Sequence, residues 1–225
     1  MKILALDTAT EACSVSLGMG DRSIDRYMEL ERGHAEQLLP MVDSVLAEGG
    51  ISLSALDAIA FGRGPGGFTG VRLAASVAQG LAFGAQVGVV PVSDLAAVAQ
   101  RVVQLNPSVR RVLVANDARM KEVYSAWFDV GAGLTSGIES VGPAGDVKVP
   151  SEQVAPWAAA GRGLKVWPAL ADRCRASGAE LHVELLPRAS EVLVLARIAA
   201  AAGQILDPAA GLPVYVRDRV AEASL

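Results

Sequence analysis

The fold is indicated first by one glycine-rich stretch, GRGPGGFTGVR, at residues 62–72. It follows Ala58–Gly62, an apolar run with the length of a buried strand. A helix is predicted to begin at the last two residues of this stretch and to run over Val71–Phe83, and the side chains of this helix are mostly small. Small side chains allow a second helix to approach closely. This strand, loop and helix form one αβ segment of the first half of the chain.

The residues before this stretch predict three strands and a helix. The strands are expected at Lys2–Leu6, Cys13–Leu17 and Ser23–Leu30, and the turn at Gly18–Asp21 joins the last two into a hairpin. Apolar residues with helical spacing then predict a helix over His34–Glu48. Three strands before the first helix are an unusual opening for an α/β protein.

The residues after the glycine-rich stretch predict another strand and helix, and then a new start. Val87–Val92 is expected to be a strand, and Ser93 to cap a helix that runs to about Gln104. Asn106-Pro107 is the best candidate for a boundary. Beyond it, Arg111–Ala115 and Glu122–Val130 again have the pattern of strands.

The last third of the chain has weaker signals. Leu164–Trp167 and His182–Leu186 are predicted as strands. Ser190 is predicted to cap a long alanine-rich helix that reaches Ala202. The two successive halves fit a duplicated actin/hexokinase-like α/β architecture with lobes at 1–105 and 106–225, and the last helix is free to return to the first lobe. One open, doubly wound sheet is the alternative.

Composition and charge limit the classes of function. The net charge is −4 and the sequence pI is about 5.3, whereas a protein that holds nucleic acid by itself usually has a basic face. Two distant cysteines, Cys13 and Cys174, make neither a disulfide framework nor a zinc motif. The sequence predicts no membrane span and a cytoplasmic location.

A metal site is not expected. Two histidines four residues apart on a helix can share one ion, but the only histidines are His34 and His182. His34 is interpreted as a helix-start or interface residue. The pattern therefore argues against a metallopeptidase.

The loop Arg63–Gly70 within the glycine-rich stretch, here called the glycine loop, allows a weak, vestigial phosphate site. Gly64, Gly66 and Gly67 precede a predicted helix N-terminus, which offers backbone donors to anions. Asp7 and Thr8, after the first strand, complete the candidate site. The loop has neither the Walker A lysine nor the dinucleotide-binding glycine spacing. No cofactor is expected beyond residual nucleotide binding, and tight structural turns are the alternative interpretation.

Two aspartates end the first strands of the two halves. Asp7 and Asp117 could face one cleft, as the carboxylates of actin-fold kinases do for metal binding and base catalysis. Routine capping of loops is the alternative interpretation.

The whole pattern resembles a known family. The resemblance rests on ILALDTAT at 3–10, HAEQLLP at 34–40, GRGPGGFTGVR at 62–72, DARMKEVY at 117–124 and PVYVR at 213–217. In this order and spacing these blocks are similar to the TsaB, or YeaZ-like, family. The segment from about Thr135 to Gly178 matches poorly, and Gly161-Arg162-Gly163 stands where the family often has Gly-Asp-Gly.

The resemblance implies a role in tRNA modification. Such proteins have the actin-like fold without catalytic apparatus, and they bind and activate a TsaD-type paralogue. That paralogue forms N6-threonylcarbamoyladenosine at position 37 of tRNAs that read ANN codons. A TsaE-type ATPase joins the assembly, and tRNA is expected to be held mainly through the complex. Alone, the chain is expected to form a homodimer. An ATP-dependent kinase or ATPase of the same fold is the alternative function.

The predicted partner interface lies on the two helices of the first half. The residues are His34, Leu38, Met41, Val45, Ala74, Val77, Ala78 and Leu81. A four-helix packing against an equivalent pair of helices would bury them. Spacing alone leaves the hydrophobic core as an equal alternative for these positions.

Overall fold

The computed structural model describes residues 1–131, 133–151 and 156–217. The chain divides into two compact units. The first comprises Met1–Arg101 and Leu186–Pro213, and the second comprises the described residues of Val102–Leu185 and Val214–Leu225. Each unit contains one mixed β-sheet. Among the described residues, no helix has both the length and the apolar character needed to cross a membrane.

The strands are β1 Lys2–Asp7, β2 Ala12–Met19, β3 Arg22–Glu29, β4 Ala58–Gly62, β5 Gly88–Val92, β6 Arg111–Asp117, β7 Glu122–Val130, β8 Leu134–Ser136, β9 Ser140–Pro143, β10 Trp157–Ala160 and β11 Glu180–His182. The helices are α1 His34–Gly49, α2 Phe68–Ala85, α3 Asp94–Leu105, α4 Gly163–Val166, α5 Pro168–Ala176 and α6 Ala189–Ala201. Short 3₁₀ turns lie between some of these elements.

The sheet of the first unit has the strand order β3-β2-β1-β4-β5. β1 pairs antiparallel with β2 and parallel with β4, and β4 pairs parallel with β5. Because side chains alternate along a strand, β1 serves two hydrophobic clusters. Leu4 and Leu6 belong to one cluster, and Ile3 and Ala5 belong to the other. The sheet is therefore buried on both faces.

Helices cover both faces of this sheet. On the Leu4 face, α1 buries Leu38 and Val45, and α2 buries the small residues Ala74 and Ala78. On the other face, α6 buries an apolar stripe consisting of Val192, Leu193 and Ala196. Alanines on the buried side of α2 let its backbone lie close to the sheet.

The second unit repeats the strand arrangement of the first. Its sheet has the order β11-β10-β6-β7-β8, with β9 also paired to β7. β6 pairs antiparallel with β7 and parallel with β10, just as β1 pairs antiparallel with β2 and parallel with β4. The core includes Leu113, Leu164 and Leu170, together with Trp157, whose ring centroid lies 5.1 Å from that of Trp127. The predicted duplication is present in the strand topology.

The units are not simple halves of the chain. The predicted lobes met at 105/106, but Leu186–Pro213 return to the first unit, and the first unit passes into the second within α3. The reason for the return is the apolar stripe on α6, which packs on β1 and β4. The second unit therefore excludes residues 186–213, which the predicted range 106–225 included.

Two helix starts differ from prediction. α2 begins at Phe68 instead of Val71, and the Arg72 guanidinium lies 3.6 Å from the Phe68 ring centroid in its first turn. Ser190 does not cap α6, because its hydroxyl donates to Glu191 within the first turn. The first amide, Ala189 N, instead donates to Ser14 Oγ on β2 at 2.9 Å. The predicted cap of α3 is confirmed, since Ala96 N donates to Ser93 Oγ.

Strand predictions after residue 156 are partly wrong. Leu164–Trp167 lies mainly in helix α4, and the strand is Trp157–Ala160, an alanine-rich run with little strand propensity. That run becomes a strand because it pairs with β6 on one side and β11 on the other. β11 is Glu180–His182, so the predicted strand His182–Leu186 shares only His182 with it.

Candidate functional site

Three loops of the first unit meet at the carboxyl ends of neighbouring parallel strands. They follow β1, β4 and β5, and they contain Asp7, the glycine-rich stretch and Asp94. In α/β sheets this edge is where ligands usually bind. It is also the edge at which the predicted phosphate residues lie.

Asp7 and Thr8 are both buried, and their side chains form hydrogen bonds with backbone groups. Asp7 Oδ1 accepts a hydrogen bond from Ala9 N at 2.9 Å. Thr8 Oγ1 donates to the carbonyl of Gly70 at 2.7 Å. The loop after β1 is therefore tied to itself and to the first turn of α2.

The glycines allow the two loops to pack backbone against backbone. A Cβ at Gly66 would lie 2.8 Å from the Ala9 Cβ and closer still to the Ala9 carbonyl oxygen. A Cβ at Gly70 would overlap the Thr8 carbonyl oxygen and lie 3.0 Å from its carbon. At both positions only a glycine fits without movement of the backbone.

Two of the backbone donors predicted for phosphate are already in use. Gly67 N donates to the Ala9 carbonyl at 2.7 Å, and Gly64 N donates to Asp94 Oδ2. Gly64 has φ +99, a conformation that glycine adopts readily. An anion at this edge would have to displace protein acceptors, so the contacts favour the interpretation of these loops as tight structural turns.

Asp94 was not among the site residues predicted from the sequence. It is fully buried, and its Oδ1 faces the same point beside Gly62 as Asp7 Oδ2 does. Burial, and next the charge of Asp7, raise the pKa of Asp94 well above its usual value. Burial also raises the pKa of Asp7. The signal in the sequence was an acidic residue two positions after a strand, at the start of a helix.

Asp117 ends β6 in the second unit, where it organises a different loop. Asp117 Oδ1 accepts from Arg119 N at 3.0 Å, and Oδ2 lies 3.2 Å from an Arg119 guanidinium nitrogen. Arg119, Met120 and Lys121 all have positive φ. Asp117 therefore organises the loop that follows β6. That Asp117 and Asp7 face one cleft stays a prediction.

Two sequence blocks 95 residues apart meet at this second loop. Arg217, in the last block, forms an ion pair with Glu122 and donates to the Ala118 carbonyl at 3.1 Å. Its guanidinium also lies 5.9 Å from the Tyr124 ring centroid. The final block therefore holds the β6–β7 loop in place within the second unit.

His34 makes a structural contact at the start of α1. Its Nε2 lies 2.9 Å from the Thr10 carbonyl, and the side chain is half-buried. Within the ranges that the structure describes, no three or more histidine, cysteine, aspartate or glutamate side chains group where they could share a metal ion. His34 thus anchors the loop after β1 to α1.

Five of the eight predicted interface residues lie in the core instead. Leu38, Met41, Val45, Ala74 and Ala78 are all buried in the first unit. Their side chains cannot offer area to a partner, because they already pack on the sheet. Spacing could not separate these alternatives, since the core-facing stripe of a helix has the same period as an interface stripe.

The outward surface of the two helices consists of other residues. Phe83 is 81% exposed and Leu39 is 48% exposed. A Cβ at Gly80 or Gly84 would meet open space. Val77, Leu81 and His34, from the predicted set, are half-buried. We call Leu39, Val77, Gly80, Leu81, Phe83 and Gly84 the α1/α2 surface.

Comparisons with known proteins agree with this fold. The family model described as "TsaD: tRNA N6-adenosine threonylcarbamoyltransferase" matches residues 28–140. The Escherichia coli tRNA threonylcarbamoyladenosine biosynthesis protein TsaB is 41% identical over 98% of this chain and 96% of its own length. TsaB of Haemophilus influenzae is 50% identical over 55% of this chain and 52% of its length.

A solved structure extends the match to three dimensions. YeaZ from Pseudomonas aeruginosa superposes with a TM-score of 0.87 and 45% identity, covering 95% of this chain and 99% of that chain. The fold is the actin/hexokinase-like α/β fold that the duplicated topology predicted. On this full-length identity and superposition, the chain belongs to the TsaB, or YeaZ-like, family.

Proposed function

We propose that this chain is a non-catalytic subunit that binds and activates a TsaD-type transferase. The transferase would form N6-threonylcarbamoyladenosine at position 37 of tRNAs that read ANN codons. The observation that carries the proposal is the α1/α2 surface, on which Phe83 and Leu39 are exposed. The relatives that share this fold are named as proteins of tRNA threonylcarbamoyladenosine biosynthesis. Both residues lie on helices that pack on the same hydrophobic cluster, and a large exposed apolar surface often marks a protein–protein interface.

The contacts at the carboxyl ends of β1, β4 and β5 support a non-catalytic role. A phosphotransferase of this fold uses this edge to hold phosphate with free backbone donors and to position a carboxylate. Here Gly64 N and Gly67 N bond to protein acceptors, and Asp7 is buried with no exposed surface. Residual nucleotide binding would require these bonds to open, which makes it weak.

The shape of α2 supports a helix partner. Gly80 and Gly84 lie one turn apart beside Phe83, with open space in front of both. Glycines let the backbone of an opposing helix come close, and Phe83 would then fill the groove at the side. A partner with the same fold would present an equivalent helix pair, which suits a four-helix packing.

The net charge of −4 favours indirect contact with tRNA. We expect the transferase to supply most of the phosphate contacts, and a TsaE-type ATPase to join the assembly. The chain would act in the cytoplasm, where its tRNA substrate is used.

The test is reconstitution from purified components. The chain alone, with ATP, Mg²⁺, threonine, bicarbonate and tRNA, is expected to give no modified tRNA and no ATP turnover above a heat-killed control. With a TsaD-type transferase, a TsaE-type ATPase and a source of threonylcarbamoyl-adenylate, modification should depend on the chain. Modification by the chain alone, or full modification without it, would refute the proposal.

The free protein is expected to form a homodimer through the same surface. A bare apolar surface that serves a partner of the same fold can also pair with its own copy about a two-fold axis. Light scattering over a dilution series should show a dimer that dissociates, and added transferase should replace it with a heterodimer. A strict monomer at high concentration, or a homodimer that persists within a larger assembly, would show that the two surfaces differ.

A further inference from the structure

Two buried carboxyl groups join the three loops at the edge of the first sheet. Asp7 Oδ1 accepts from Ala9 N, and Asp94 Oδ2 accepts from Gly64 N. The second oxygen of each carboxyl group is shielded from solvent and has no hydrogen-bond donor among the described residues. Buried polar atoms nearly always have a hydrogen-bond partner, so each of these two oxygens is expected to have one as well.

The two unsatisfied oxygens face the same point. A Cβ built on Gly62 would lie 2.8 Å from Asp7 Oδ2 and closer still to Asp94 Oδ1. Two ionised carboxylates this close in a buried site would repel strongly. A single proton between them removes the repulsion and gives each oxygen a hydrogen-bond partner. Gly62 leaves no side chain between the two groups.

We propose that Asp7 and Asp94 share one proton, and that this pair is a latch that holds the three loops together while the proton is bound and releases them as the pH rises. The latch joins the loop after β1 to the glycine loop and to the start of α3. Further contacts follow the same path, including Asp94 N to the Gly64 carbonyl at 3.1 Å. The β-sheet and its hydrophobic clusters are not part of the latch.

The groups around the pair act in opposite directions. Burial is the largest influence on both carboxyl groups and favours the protonated form. His34 on α1 favours ionised Asp7, and Arg63 in the glycine loop favours ionised Asp94. Cys13 on β2 stays protonated, because burial and the Asp7 charge raise its pKa to about 11. Because burial raises the pKa of both carboxyl groups, the proton belongs to the pair and not to one residue alone.

The direction of the pH dependence follows from linkage. Unfolded or opened aspartates lose their protons near pH 4, whereas the closed pair keeps one to a higher pH. The closed state therefore binds more protons, and closure weakens as the pH rises through the raised pKa. Above that pKa, closure should weaken by up to about tenfold for each pH unit.

The experiment is amide hydrogen exchange, measured by NMR on the full chain between pH 5.5 and 9 and corrected for intrinsic rates. Protection of Ala9, Gly64 and Gly67 should fall with rising pH, while protection of the central strand residues Ile59 and Val90 should stay constant. In Asp94→Asn the amide carbonyl can accept from Gly64 N and the amide N–H can donate to Asp7. The loop protection in this variant should therefore be independent of pH.

Control variants separate the latch from a general effect of pH on the protein. Asp57→Asn alters an exposed aspartate that also accepts a backbone bond, from Lys2 N at 2.6 Å, and it should keep the wild-type profile. In Asp7→Asn, as in Asp94→Asn, the loop protection should be independent of pH. Asp7→Asn replaces Asp94→Asn as the test variant if Asp94→Asn fails to fold. Flat wild-type protection, or equal slopes in wild type and both amide variants, would overturn the proposal. Protection that follows added Mg²⁺ instead of pH would also overturn it, since a cation would then replace the proton.

Discussion

Replacing Phe83 by glutamate should weaken association with a TsaD-type transferase by about 100-fold or more. Phe83 is 81% exposed on α2, so the fold of the free chain does not depend on it. In the proposed complex, however, the new carboxylate would be buried without a counter-charge, which costs several kcal/mol. Because about 1.4 kcal/mol corresponds to tenfold in affinity, the loss should be easy to measure by calorimetry.

A matched control lies on the opposite face of the same sheet. Ile198 on α6 is 58% exposed, so Ile198→Glu makes the same chemical change on a helix outside the proposed interface. This variant should bind normally, and both variants should keep the wild-type circular dichroism spectrum. A folded Phe83→Glu variant that binds with wild-type affinity would remove α2 from the interface. Val77→Glu and Leu81→Glu also test the interface, but both residues are half-buried against the core and so test the fold as well.

Replacing Gly70 by alanine should destabilise the protein by roughly 3 kcal/mol. The added methyl group would overlap the Thr8 carbonyl oxygen, which belongs to the backbone and cannot rotate away. The first turn of α2 must then separate from the loop after β1, which strains the Thr8–Gly70 and Gly67–Ala9 hydrogen bonds. Overpacking costs about 1–3 kcal/mol and each lost hydrogen bond about 1 kcal/mol, which exceeds the gain of about 1 kcal/mol in helix propensity.

Gly80→Ala is the control for this prediction, because it is the same substitution in the same helix. A Cβ at Gly80 meets open space within the chain, so in the monomer nothing opposes the gain in helix propensity and the variant should be stabilised by about 0.5–1 kcal/mol. Because Gly80 lies on the α1/α2 surface, the measurement is made at a concentration at which the chain is monomeric. Urea unfolding of both variants gives the two free energies of unfolding. If both glycines respond alike, the close approach of the α2 turn to the loop after β1 does not matter to stability.

Local sequence pattern was sufficient for most of the first unit. The strands β1 to β5 and helix α1 were predicted close to their observed bounds, because each is a short apolar or amphipathic segment ended by glycine or another turn residue. The cap of α3 by Ser93 was also predictable, since capping depends on residues two or three apart. Such signals do not require knowledge of the rest of the fold.

The second unit shows where local pattern fails. Trp157–Ala160 is a strand because β6 and β11 lie beside it, and its alanines carry no strand signal. The first amide of α6, Ala189 N, donates to Ser14, 175 residues earlier, whereas the local signal predicted a cap at Ser190. In each case a segment distant in the sequence decides the local structure. The residues next to each element do not indicate which distant segment will contact it.

Sequence alone determined that this is a duplicated α/β protein of the TsaB family, because the blocks that mark it are contiguous and occur in a fixed order. Only the tertiary structure decided what the individual side chains do. It placed Leu38, Met41 and Val45 in the core and left Phe83 exposed, although all four lie in apolar helical patterns. It also brought Asp94 to Asp7 across 87 residues of chain, since the ends of adjacent parallel strands meet at one edge of a sheet. Which face of a helix is covered, and which carboxyl groups meet, depend on contacts between distant segments, and no local pattern of residues encodes those contacts.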